Sequence, residues 1–205
     1  MTGSSGAIYG IRLLEALRAA RQVEVHLILS RGGRLTAALE TGRKARDIEK
    51  LAHHVHSDQD LAASIASGSF RTAGMIVAPC SMKTLSGIAN SYADNLVVRA
   101  ADVVLKERRR LVLMPRETPL HLGHLRLLAR AAELGAIIAP PIPAFYGKPK
   151  TIDDLVNHSV GRVLDLFDID SGLVKRWPPP KGRTREMVAD HQGRRHQGRI
   201  RPRIG

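Results

Sequence analysis

The chain has 205 residues, 43% of them hydrophobic and only 3% aromatic, so it can bury one good-sized core built mainly from Leu, Ile, Val and Ala. Its net charge is +13, yet residues 175–205 carry 10 basic and 2 acidic side chains, which leaves 22 against 17 on the body. The excess is therefore a solvated basic tail, which argues against a nucleic-acid-binding body; the small remaining surplus suits small anionic ligands. A single cysteine, Cys80, excludes an intrachain disulfide and fits a reducing compartment, most simply the cytoplasm. No apolar run is long enough to span a membrane and no signal-peptide pattern opens the chain.

Strand-like and helix-like segments alternate. Residues 6–20 have helical spacing, 23–30 (VEVHLILS) read as a strand, and 34–53 as a helix broken near Thr41–Gly42. Residues 58–66 read as a short helix and SGSF at 67–70 as flexible. AGMIVAPC (73–80) is a buried strand, followed by helices from about Thr84 and from Ala93 to about Arg108. RLVLM (110–114) is a strand, 120–134 a helix, AIIAP (136–140) a strand and 152–167 a helix with an acidic first turn. This order predicts a mostly parallel α/β sheet with helices on both faces. TGSSGA at 2–7 opens a helix with no strand before it, so the first strand is expected to be missing or displaced.

Several turns carry chemistry. TGSSGA lets backbone approach a ligand closely and points free amides at an anion, or is simply a Ser-capped helix. Ser30 ends a strand and reads by itself as a cap. PCSMKT (79–84) groups Ser81, Thr84 and backbone amides; Cys80 within it lacks a neighbouring base and reads as structural. Arg99 and Lys106 lie seven apart on one helix face and could converge on an anion, whereas Arg109 and Arg110 read as solvated. PRETP (115–119) holds Arg116 and Glu117 between prolines: a phosphate-binding arginine beside a carboxylate able to act as base, or a surface ion pair. PPIPAFYGKP (140–149) offers the ring and phenol of Tyr146. His53, His54 and His56, read as a helix end, and the pair His121/His124 lack companions at ligand spacing, so no metal is expected.

Together these segments resemble the UbiX-type flavin prenyltransferases, a family historically described as aromatic-acid decarboxylases. The matching pieces are TGSSGAIYG, the Ser-Arg after VEVHLIL, LETG, ASIASGSF, the long block PCSMKTLSGIANSYADNL through RAADVVLKERR to RETPLHLGHLRL, PPIPAFY and GRVLDLF. They span about residues 2–177, which sets the expected catalytic domain at 1–177 and a basic tail at 178–205. The resemblance implies a flavodoxin-like or Rossmann-like fold, FMN bound at subunit contacts of a homo-oligomer, often a dodecamer, and prenyl transfer from dimethylallyl monophosphate to N5 and C6 of reduced FMN. The prenylated FMN would serve a UbiD-type decarboxylase.

By the same resemblance, Gly3, Ser4, Ser5, Ser30, Ser81, Met82, Lys83, Thr84 and Arg116 would contact FMN. Tyr146, Arg162, Arg99 and Lys106 would bind the prenyl phosphate, with Glu117 as catalytic acid/base and Ser5 near the transferred phosphate. Glu40 would reach the site across a subunit contact and Trp177 would cover it. Two other readings compete. A flavin-dependent cysteine decarboxylase would need an Asn-rich loop where this chain reads PCSMKTLS. A non-catalytic FMN-binding accessory subunit would bind flavin and a partner without prenyl transfer.

Overall fold

A computed structural model describes residues 1–174, 176 and 177. The compact unit is Met1–Lys175, and the basic tail at 178–205 lies outside the described residues. The helices are α1 (Ala7–Ala20), α2 (Arg31–Thr41), α3 (Ala45–Glu49), α4 (Met82–Ala89), α5 (Leu96–Lys106), α6 (Leu122–Glu133) and α7 (Ile152–Asp165). The strands are β1 (His26–Ile28), β2 (His54–His56), β3 (Gly74–Cys80), β4 (Arg110–Pro115) and β5 (Ile137–Ile138). All pairings are parallel: β1 with β2, and β3 with β4 with β5.

Alternation along β4 explains the layers. Leu111 and Leu113 face the core under α4, α5 and α6, whereas Val112 and Met114 face the one under α1 and α7. All four are essentially inaccessible, as a parallel strand covered on both sides requires. Each such burial is worth about 1.5–3 kcal/mol. Local capping sets the helix starts. Ser30, Ser81 and Asn95 accept from the third amide onward, and Thr151 with Asp154 forms a capping box on α7.

Two sequence expectations are corrected. Residues 53–56 do not end a helix; β1 recruits 54–56 as a strand, with the Val25 carbonyl accepting from the His53 and His54 amides at 3.0 Å. Residues 58–66 yield only one 3-10 turn at Ser64–Ala66. Side chains there compete for backbone, with Asp60 accepting from Ala62 N–H at 3.0 Å and Ser57 from Gln59 N–H at 3.3 Å.

The strands form two sheets, β1–β2 and β3–β4–β5, with no strand pairing β1 to β3 among the described residues. Among the described residues, Met1 and Thr2 carry backbone hydrogen bonds across the gap. The Met1 amine donates to the Ile28 carbonyl at 2.7 Å, Ser30 N–H donates to Met1 O at 3.1 Å, and Thr2 N–H donates to Pro79 O at 3.2 Å. Before Met1, a cavity of about 420 Å³ lies between β1 and β3, lined by side chains such as Leu14, Leu27, Ile76 and Val103. Burial pushes the Met1 amine down from 8.0 to about 6. A base depressed in this way disfavours the folded state below its folded pKa, and the penalty vanishes above the unfolded value. Its contribution to stability therefore rises between about pH 6 and pH 8. Fusing about six alternating apolar residues, one strand length, to Met1 turns the amine into an amide and fills the cavity. The melting temperature at pH 6 is expected to rise by ~5 °C or more, with a smaller gain at pH 8. Scanning calorimetry at both pH values checks this, and an unchanged melting temperature contradicts it.

Candidate functional site

The carboxyl ends of β1 and β3 open onto one cluster of turns, where open parallel sheets place their ligands. Thr2 is its keystone. Its hydroxyl donates to Pro79 O at 2.8 Å and accepts from Ser81 N–H at 2.8 Å, fixing residues 2–6 against the end of β3. Gly3 presses on Gly32; a Cβ on Gly3 would lie 2.9 Å from the Gly32 Cα, so neither position has room for a side chain. Gly6 adopts φ 96°, which only glycine takes without strain, and turns the chain into α1.

The start of α1 has no cap from its own side chains. Glu40, near the end of α2, supplies one. Its carboxylate accepts from Gly6 N–H at 2.9 Å and Ala7 N–H at 2.9 Å. Partial burial opposes ionisation of Glu40. Bonds from the Ser5 hydroxyl and from the Ala7 and Gly6 amides, with the Arg116 charge, outweigh it and hold the carboxyl below its usual range. The resemblance placed this carboxylate across a subunit contact; here it reaches its own chain's turn.

Arg116 follows β4. Its Nε donates to Ser5 O at 3.4 Å and its backbone N–H to Cys80 O at 3.3 Å, so it joins the first turn to the end of β3. Glu117, next along, is exposed and accepts from Thr118 N–H at 3.1 Å. Ser81 caps α4, with Oγ 3.1 Å from Thr84 Oγ1; Met82, Lys83 and Thr84 form the first turn of that helix. Ser30 caps α2 by accepting from Gly33 N–H at 3.1 Å. Cys80 is buried, and burial pushes its thiol up to about 12, which removes it as a nucleophile.

Ser4 Oγ is buried yet has no hydrogen-bond partner within the described residues. An orphaned hydroxyl in a turn of closely approached glycines is what a phosphate-bearing ligand would satisfy. The same cluster adds the Ser5, Ser81 and Thr84 hydroxyls and one cation, Arg116.

The remaining sequence-selected residues stand apart. Lys106 ends α5 and pairs with Glu107 at 2.5 Å, beside Gly68 and the segment entering β3. That is the amino-terminal edge of the sheet, opposite Ser81 and Arg116, and α5 is roughly 16 Å long. Arg99, on α5, donates to Ala66 O at 3.2 Å and pairs with Asp102 at 2.9 Å. Tyr146 hydroxyl lies 2.6 Å from His158 Nε2, and Arg162, one turn further along α7, pairs with Asp165 at 2.7 Å. Trp177 is exposed and falls in the separate unit beginning at Arg176. Sequence reasoning missed Thr2, Gly32 and His158. Nothing in the local pattern marks them, since each matters only through a neighbour remote in sequence.

The flavoprotein family model matches residues 1–164. The flavin prenyltransferase UbiX of Salmonella typhimurium is 58% identical over 179 residues, covering 86% of this chain and 95% of that protein. The solved dodecameric FMN-dependent UbiX-like decarboxylase from Escherichia coli O157:H7 is 53% identical, with TM-score 0.86 over 87% of this chain and 97% of that one. AnUbiX (PadA1), solved in complex with FMN and dimethylallyl pyrophosphate, is 51% identical, with TM-score 0.86 over 88% of this chain and 96% of that one. With this agreement over nearly the whole described chain, in sequence and in fold, the protein belongs to the UbiX flavin prenyltransferase family of flavoproteins.

Proposed function

We propose that this chain transfers a dimethylallyl group from dimethylallyl monophosphate to N5 and C6 of reduced FMN, and that the prenylated flavin passes to a UbiD-type decarboxylase. Residues 1–177 would form the catalytic domain. The observation that carries the reading is the turn at 2–6, with its orphaned Ser4 hydroxyl, set beside Ser81, Thr84 and Arg116. Gly3, Ser4, Ser5, Ser30 and the start of α4 would hold FMN, with its phosphate on the serine hydroxyls. Glu40 already occupies the Gly6 and Ala7 amides, so a phosphate there is held by side chains and by Arg116 more than by the helix end.

Reduced FMN supplies the electron-rich acceptor. The protein's part is to loosen the allylic C–O bond and to accept a proton. Breaking that bond leaves negative charge on the phosphate, which Lys106, Arg162, Arg99 and the Tyr146 phenol would stabilise without a metal. Bond formation at C6 expels a proton, and Glu117, or the released phosphate, would be the base that takes it. Water must be kept out, because a free allylic cation hydrolyses; Trp177 is the proposed cover.

Within one protomer Lys106 and Glu117 stand at opposite edges of the sheet, so the full set assembles only between subunits. Exposed apolar side chains support this. Leu35 (63% exposed) and Leu39 (77%) line one face of α2, and Ile142 (72%) and Phe145 (71%) crown the loop before Tyr146. Such patches mark contact surfaces.

Mass spectrometry after incubation with reduced FMN and dimethylallyl monophosphate is expected to detect prenylated flavin. Glu117→Gln should lower turnover by ~100-fold or more while FMN still binds; flavin binding with no transfer in the unaltered chain would instead favour the accessory-subunit reading. The shared site has its own test. Co-refolding Lys106→Ala with Glu117→Gln, each strongly impaired alone, should raise activity well above either variant, because some sites then draw an intact residue from each subunit. No such rise would place both residues in one protomer's site.

A further inference from the structure

The β1–β2 pair carries a second cluster, remote from the turns described above. In paired parallel strands, directly registered residues and those two apart share a face. His26 is registered with His54, and His56 follows two residues on. Glu24 precedes His26 by two along the same extended segment. These four side chains therefore project together. Ligand atoms of Glu24, His26 and His54 all lie within 4.8 Å of one another. His54 Nε2 bonds Glu24 Oε1, and His26 Nδ1 lies 2.9 Å from His56 Nε2. The His26 ring stacks at 4.5 Å on His54 and 5.2 Å on His56.

We propose that Glu24, His26 and His54 form a divalent transition-metal site, with His56 orienting the His26 ring. Two imidazoles and a carboxylate are a zinc-type donor set with one position open. A cation between His54 and Glu24 would replace the proton they share. It would also draw the His26 and His54 rings into one coordination sphere. Their protonation already suits this. Burial, then the neighbouring histidines, lowers the pKa of His26, and the His54 hydrogen bond keeps Glu24 ionised. His56 bonded to the ring nitrogen of a ligand histidine is the outer partner that fixes ring orientation. His53 is excluded, because its Nδ1 accepts from Val25 N–H at 3.0 Å. Such a site would depart from the expectation that these histidines are solvated or structural and bind no metal. That expectation followed from treating residues 53–56 as a helix end, where Glu24 and His26 are out of reach. The bound ion would clip β2 to β1 at the sheet's amino-terminal edge, away from Ser81 and Arg116, so its role is structural.

Glu24 and His54 are exposed, so replacing them spares the core. Calorimetric titration of Zn²⁺ into the untagged full chain is expected to show one site that is lost in Glu24→Gln/His54→Gln and kept in His121→Gln. His56→Gln should weaken it by roughly 10–100-fold. Zn²⁺ should raise the melting temperature of the unaltered protein and not of the double variant. Co²⁺ should give tetrahedral ligand-field bands that disappear in the same double variant. Absence of binding to the unaltered chain, or identical binding by the double variant, overturns the site.

Discussion

The hydroxyl of Thr2, shared between Pro79 O and Ser81 N–H, is the contact on which the rest of the molecule's upper edge depends. With the Met1 bonds to Ile28 and Ser30, it links β1 to the end of β3, alongside the core that Ile28 shares with Val77 and Leu113. The turn from Gly3 to Gly6 is placed by it, and through that turn the orphaned Ser4 hydroxyl, the Ser5 carbonyl that receives Arg116, and the two amides that Glu40 caps. A buried polar group that loses its partner costs about 1–3 kcal/mol, so these few contacts set both the integrity of the sheet and the geometry of the site.

The two ends of the sheet do different work. Hydroxyls, amides and Arg116 gather at the carboxyl edge, while Lys106 lies at the amino edge and Arg99 and Arg162 sit on the flanking helices, each already paired with an acidic side chain of its own helix. No motion within a parallel sheet carries a residue from one edge to the other. Under the proposed role of Lys106, a leaving phosphate would meet a lysine from a neighbouring subunit, and the exposed Leu35, Leu39, Ile142 and Phe145 would give such neighbours something to bury.

Much of this was legible in the sequence. Helical spacing located α1 and α7, and the short apolar runs at 73–80 and 111–114 read as strands covered on both faces. Ser30 was readable as a cap because the cap is a local device, and Cys80 as inert because no base stood near it; Ser81 was read as a ligand-facing hydroxyl, and its capping of α4 came only with the structure. What escaped reading was non-local. Thr2 is an ordinary residue until β3 ends beside it, and Glu40 is an ordinary helix carboxylate until α2 returns it to the start of α1. HHVH resembles a helix end until β1 pairs with it, and only that pairing brings Glu24 and His26 to His54. TGSSGA standing without a strand signalled a missing or displaced first strand, but neither the position of the gap between β1 and β3 nor the bonds of Met1 and Thr2 across it were readable.

The central claim is that the Thr2 clamp holds the ligand-binding turn, and Thr2→Val tests it with almost no change in shape. FMN affinity measured by fluorescence quenching is predicted to fall about tenfold or more, the equivalent of one lost buried hydrogen-bond pairing, and to be retained in Thr2→Ser, which keeps the hydroxyl. Undiminished FMN affinity in Thr2→Val would contradict the account.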